Sequence, residues 1–326
     1  MRTLRSHLVA ALATTLLSGT ALAAPFVLTN APGDGTVTVG VDGYGSFGSS
    51  VNADTTDAVY DPVGPIGTAG TTFESGIALR VGGAGARTFL SPGISGGGVG
   101  PNPTVTGTAT SGSSSFATSG LSFSLTQTLV DLLDGGSQNG SRLDQTYVIT
   151  NTSGAALTFE IIRYIDGDLL FDGSLEDGGG RIGGVSDLLF ETDSATGSAD
   201  ETTFLGITAT GGSTAGPGRF EIDSFSGLRA RIAAGTALDD TVTGDGGDAD
   251  QFIDAGNGYD VTLALRNIFS LGAGESVTYQ TQTIFGTGAP GEFVPPPPNG
   301  VPEPATLALI GAGLFGLYGL RRRKTA

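Results

Sequence analysis

The sequence predicts an all-β protein, an antiparallel β-sandwich, on three observations. Apolar and polar residues alternate at period two in several segments, as half-buried strands require. No sustained 3.6-residue periodicity runs through the central part of the chain. The short apolar runs are separated by Gly, Ser and Asn clusters, the residues that make tight turns. With 326 residues, 38% of them hydrophobic, the chain is long enough to bury a core despite its 56 glycines and 15 prolines.

The elements follow in order. Val37, Val39 and Val41 alternate with Thr36, Thr38 and Gly40, which predicts a strand. The segment from Gly82 to Gly120, rich in Gly, Ser, Thr and Pro, reads as a long loop or as a boundary near residue 110. Leu121, Phe123 and Leu125 alternate with Ser122, Ser124 and Thr126, a second strand. Leu129 to Asp134, stopped by Gly135 and Gly136, invites a short helix. Tyr147 to Asn151 and Leu157 to Ile165 are rich in β-formers and separated by five residues, so they read as a hairpin. Further strands are expected at Phe204 to Ala209, Arg219 to Ile222, Leu228 to Ile232, Asp260 to Leu265 and Ser276 to Phe285. In the last, Val277, Tyr279 and Phe285 share a face.

The two ends differ from this pattern. Arg2 and Arg5 precede an apolar run from Leu8 to Leu17 and a small-residue stretch ending Ala21-Leu22-Ala23, the order of a secretory signal peptide over residues 1–23. At the other end Pro295 to Pro298 make an extended spacer within a Pro-rich linker, 291–300. Beyond it lie Pro302, Glu303 and Pro304, an uncharged apolar stretch at 305–320, and the basic end Arg321, Arg322, Arg323 and Lys324. Sixteen helical residues rise about 24 Å against a hydrocarbon core of about 30 Å, so the stretch forms a short transmembrane helix and a weak anchor. The four cations favour the cytoplasmic side, which puts the body, residues 24–290, outside.

This tail, 301–326, resembles the PEP-CTERM sorting domain. The resemblance implies recognition by an exosortase, a membrane-embedded transpeptidase-like enzyme, in a Gram-negative bacterium that makes exopolysaccharide. Pro302, Glu303 and Pro304 would be the recognition tripeptide. It implies passage through the inner membrane, transient anchoring by the C-terminal helix, then release to the cell surface or extracellular matrix.

Composition limits what the body can do. The whole chain carries a formal charge of −17, and residues 24–300 alone nine arginines against 31 acids. Between the two tails there is no Lys, His, Cys, Met or Trp. This excludes Ser-His-Asp and Cys-His sites, zinc sites of the usual N/S type, Schiff-base lysines and P-loop lysines. The charge balance also excludes nucleic acid as a partner, since phosphate binding draws on Lys and Arg.

Two acidic loops suit a hard cation such as Ca²⁺, which takes six to eight oxygen ligands. Asp166, Asp168 and Asp172 follow the strand ending at Ile165, without EF-hand spacing. Asp245, Asp248 and Asp250 lie in a Gly-Asp run, and Ala255 to Leu263, with Asp260, is similar to one calcium-binding nonapeptide of the RTX type, Ala255 standing where that pattern has Gly. Solvated Asp-Gly turns explain the same residues without a metal. Arg163 and Tyr164, beside the first loop, read either as a sugar or carboxylate contact or as an internal ion pair and core aromatic.

The expectation is a non-enzymatic, exosortase-sorted surface or exopolysaccharide-matrix protein with a structural or adhesive role. A calcium-dependent carbohydrate-binding module is the alternative, and a glycosidase acting through two carboxylates the third reading.

Overall fold

The computed structural model describes residues 24–51, 57–171, 175–184, 186–194, 202–288 and 290. The signal peptide, the Pro-rich linker, the sorting tail with its tripeptide and basic end, and Asp172 lie outside the described residues.

The described chain is mostly antiparallel β-sheet with one α-helix. Strands β1 (Phe26–Thr29), β2 (Thr36–Val41) and β3 (Val59–Asp61) form a three-stranded sheet. The chain continues through β4 (Thr72–Val81), β5 (Thr88–Phe89), β6 (Thr106–Gly107) and β7 (Ser111–Thr118). Three long strands come next, β8 (Leu121–Asp134), β9 (Ser137–Asn151) and β10 (Leu157–Gly167). A 3-10 turn at Leu169–Phe171 leads to β11 (Gly178–Ile182), β12 (Leu188–Thr192), β13 (Thr203–Thr210) and β14 (Phe220–Ser224). Helix α1 (Phe225–Ala234), β15 (Val261–Leu271) and β16 (Ser276–Thr287) complete the order.

Strands β14-β15-β10-β4-β5 form a five-stranded sheet, and β11-β12-β13-β16-β9-β8-β7-β6 an eight-stranded one. Side-chain parity in β10 shows how the layers meet. Phe159, Ile161 and Ile165 join a common core with Leu125, Leu143, Tyr147 and Tyr279 of the eight-stranded sheet and with Val37 and Val39 of β2. The alternate residues Ile162 and Tyr164 face the other way, onto Leu228 and Ile232 of α1 and onto Phe89 and Ile94. Each such buried apolar side chain contributes about 1.5–3 kcal/mol, so α1 is held as a cover on the outer face of the five-stranded sheet.

Four sequence expectations are corrected. Leu129 to Asp134 is not helical but the end of β8, paired to β9 around Gly135 and Gly136. Both glycines have positive φ, 56° and 92°, which a two-residue turn between right-twisted strands requires, so the Gly pair is a hairpin tip instead of a helix stop. Leu228 to Ile232 is helical, not extended. Leu228 and Ile232 are four apart, a spacing that returns to the same side in a strand and in a helix, so the pattern alone did not separate them.

The third is the hairpin. Strands β9 and β10 do not pair: β9 lies between β8 and β16, and β10 between β15 and β4. Residues 152–156 carry the chain from one sheet to the other, alongside the equivalent crossing from β15 to β16. Asn151, fully buried, pins the two crossings together: its side-chain nitrogen donates to the Ala155, Leu271 and Gly272 carbonyls at 2.8–3.0 Å, and its backbone exchanges hydrogen bonds with Gly274 and Glu275. The segment 82–120, expected to be a long loop or a boundary near residue 110, holds β5, β6 and β7; in β7 buried Gly112 and Ser114 alternate with exposed Ser113 and Ser115 along the pairing to β8.

Candidate functional site

The arginines of the body are largely committed to internal partners. Ion pairs join Arg80 and Arg87 to Glu160, Arg142 to Asp144, Arg181 and Arg219 to Asp187, Arg229 to Glu74, and Arg231 to Glu221 and Asp239. Arg163 is buried between the sheets and donates to the Tyr164 carbonyl at 2.6 Å, the Thr283 hydroxyl at 2.9 Å and the Gly76 carbonyl at 3.3 Å, its guanidinium 5.7 Å from the Phe47 ring. It is an internal tie between layers, with no opening to a ligand, and Tyr164 is a core aromatic packed edge-on to Phe89.

A further set of carboxylates gathers at one end of the two main sheets. Asp166, one residue before the end of β10, pairs with Thr262 of β15, and two residues further along the same antiparallel register Asp168 comes close enough to Asp260 to raise its carboxyl. Tyr259 bridges to Asp177, just before β11, so the loop ahead of β15 brings Asp260 and Asp177 to one place. From the eight-stranded sheet comes Glu191, in β12, on the inward face with Leu189. Glu191 is 2% exposed and Asp166 3%, whereas Asp168 and Asp260 are half-buried and open the group toward solvent.

Two glycines make room for Glu191. A β-carbon on Gly167 would stand 1.3 Å from the Glu191 Oε1, so the carboxylate occupies the space of a missing side chain. Gly179 is the cross-strand partner of Glu191 and adds no side chain beside it. The Oε2 of Glu191 is buried without a hydrogen-bond partner.

The electrostatics reflect this crowding. Burial first, then Asp260, Glu74 and Asp168, push the Asp166 carboxyl up to about 8. Burial and the neighbours Asp177, Asp166, Asp260 and Asp168 hold Glu191 well above the ordinary carboxylate range. Asp260 is raised to about 6 by burial and by Asp168.

The second acidic loop is separate and differently built. The oxygens of Asp245, Asp248 and Asp250 lie within 4.8 Å of one another, but the group is largely exposed. Asp245 accepts from the Ala249 and Gln251 backbone and the Gln251 side chain, Asp248 from the Asp250 N–H, and Asp250 from the Phe252 N–H. These carboxylates fix their own turn. The RTX-like stretch is accordingly divided: its first residues form a turn and Asp260 joins the interior group.

Of this group the sequence reading names Asp166, Asp168 and Asp260, with Asp177 near the first loop, but not Glu191. The available signal was a lone carboxylate in the apolar run Leu188-Leu189-Phe190-Glu191, where a surface strand would not place it.

A small cleft of about 40 Å³ lies elsewhere, lined by Asp187, Arg219, Arg266 and Asn267, its Asp187 already paired with two arginines. Among the described residues no helix is long and apolar enough to cross a membrane.

The chain leaves the body at the end of β16. Thr287 pairs with Thr203, its hydroxyl accepts from the Val63 N–H at 3.0 Å and contacts the Tyr60 hydroxyl at 3.2 Å, and Gly288 donates to the Thr202 carbonyl. The segment beyond this exit carries the address. Residues 300–324 match the PEP-CTERM protein-sorting motif. The motif implies exosortase processing, export and sorting to the cell surface. No family model matches the body, and no curated protein matches the chain. The PEP-CTERM tail is thus appended to β16, the strand whose Phe285 lies opposite Leu205, itself the cross-strand partner of Glu191.

Proposed function

We propose that the body is a non-enzymatic antiparallel β-sandwich delivered by exosortase to the cell surface or exopolysaccharide matrix of a Gram-negative bacterium, where it has a structural or adhesive role. The observation that carries this is the sorting motif placed behind a proline run at the end of the last strand. The signal peptide starts export, the short apolar helix halts it, and the four terminal cations hold the tail on the inner face of the inner membrane until cleavage. The internal pairing of most body arginines supports a scaffold whose charges hold its own layers together, and its acid excess keeps it soluble and unattached to nucleic acid.

Mass measurement of both termini, in envelope and supernatant fractions, tests the reading. Loss of residues 1–23 and of the tail is expected, and Pro302→Ala with Pro304→Ala should retain the tail and leave the protein in the membrane fraction. Full-length chain in the cytosol would sink it. Calcium-dependent carbohydrate binding is the second reading, favoured by the close oxygens of Asp245, Asp248 and Asp250. Glycan binding with and without Ca²⁺ separates the two.

A further inference from the structure

We propose that the outer face of the eight-stranded sheet, across β7, β8, β9, β16 and β13, is a contact surface for a neutral polysaccharide chain. It builds on the matrix role proposed above and does not involve the acidic loops.

Strand register builds the surface. Ser113, Thr126, Thr146, Gln280 and Thr210 stand opposite one another across the five strands. At a strand spacing of about 4.8 Å this row is about 19 Å long. One step along the strands, about 6.8 Å away, Ser115, Ser124, Val148 and Thr278 make a second row, and Ser122, Thr150 and Ser276 a third. The intervening residues, such as Leu125, Tyr147 and Tyr279, fill the core, so the rows face outward. Ser124, Thr126, Val148, Thr278 and Gln280 are exposed. The Thr150 and Ser276 hydroxyls are 2.7 Å apart, and the Gln280 Nε2 donates to the Thr146 hydroxyl at 3.3 Å. These bonds order the rows and leave each group further donor or acceptor capacity.

Charge selects the partner. Residues 24–300 carry nine arginines and 31 acids, yet these three rows carry no charge. Short of the β8–β9 hairpin tip, the outward charges on β7, β8, β9 and β16 are Arg142 and Asp144, which neutralise each other through hydrogen bonds at 2.6 and 2.9 Å. An acidic polymer is repelled by the rest of the body, and a basic one finds no acid on the rows. A protein partner needs an apolar or aromatic centre, and Val148 is the one apolar side chain in the three rows. A second copy would bring two acid-rich bodies together. A neutral polymer meets none of these objections: its hydroxyls exchange hydrogen bonds with a lattice of hydroxyls and amides. Each such bond contributes little, so affinity comes from a chain long enough to engage several strands at once.

The experiment runs the full chain through native gels containing β-glucan, dextran or galactomannan, with alginate gels in parallel. Retardation by a neutral polymer is expected, unchanged by EDTA and by added NaCl, and absent with alginate. Thr126→Val, Thr146→Val and Thr278→Val together keep the β-branched shape and should weaken retardation about tenfold or more at an unchanged melting temperature. Ser124→Ala with Gln280→Ala, both at exposed positions, repeats the test through other side chains. Thr158→Val with Ser270→Ala, a hydroxyl pair on the five-stranded sheet, should bind as wild type. No retardation by any of the three neutral polymers, equal retardation of the face variants, a calcium requirement, or stronger retardation by alginate would each overturn the surface. A wild-type dimer that the face variants abolish would assign the face to a second copy and overturn it too. Terminal masses report sorting separately, so a correctly sorted protein that binds no neutral polymer removes this face and leaves the matrix role standing.

Discussion

The Glu191 carboxylate lies in the space that a side chain at Gly167 would fill, so a residue of the eight-stranded sheet is seated on the backbone of the five-stranded one. The fit couples two positions 24 residues apart in the chain. Gly167→Ala forces a buried carboxylate to move, and overpacking of this kind costs about 1–3 kcal/mol. Combined with Glu191→Ala, the penalty should shrink, because the clashing atoms are gone. Denaturant melts of the two single variants and the double variant check this; strictly additive losses would mean that the two residues do not touch.

Asp42, in the turn after β2, should tie stability to mildly acidic pH. Its carboxylate accepts from the Ser91 hydroxyl and from the Tyr44 and Ser46 N–H groups at 2.5–2.9 Å, yet burial dominates and raises it to about 6 from 3.8. The folded state therefore holds this proton more tightly than the unfolded state. Stability from Asp42 is fully present below pH 4 and is lost as pH rises to about 6, by at most about 1.4 kcal/mol per pH unit. Asp42→Asn keeps the acceptor oxygen and removes the titration. The difference in stability between wild type and variant should change across pH 4–6 and stay level above it, as read by urea melts in a pH series.

Glu160 is the shared partner of Arg80 and Arg87 beneath α1. Arg87 also donates to the Thr236 carbonyl at 2.6 Å, so this acid orients the residues that close the helix. Glu160→Ala leaves a buried guanidinium without its counter-charge and should cost about 3–5 kcal/mol. A loss below about 1 kcal/mol by calorimetry would show that solvent reaches the pair.

Arg163 offers the contrasting case, a buried cation held by two carbonyls and a hydroxyl, with burial lowering it to about 10. Arg163→Met retains most of the volume and removes the desolvation cost, so its stability should stay within about 2 kcal/mol of wild type. Arg163→Ala leaves a cavity between the sheets and should lose about 3–5 kcal/mol. Equal losses in both variants would assign the role to charge instead of packing.

The sequence by itself determined the strand character, the sorting tail and the chemistry that the body cannot perform. Alternation in Val37 to Val41 and Leu121 to Leu125 is a local property, since a strand that buries one face must repeat every second residue. The motif at residues 300–324 is equally local, because it is read as a linear order of residue types. Which strands pair is not local. A five-residue link such as 152–156 joins a hairpin or crosses between sheets with equal ease, and only burial of Asn151 against the second crossing decides. The spacing of Leu228 and Ile232 fits a strand and a helix alike, and the apolar face beneath α1 decides that too. The carboxylate group is tertiary in the same sense: Asp166, Glu191 and Asp260 sit on three strands or their ends, and charge brought together by folding leaves no spacing in the chain to read.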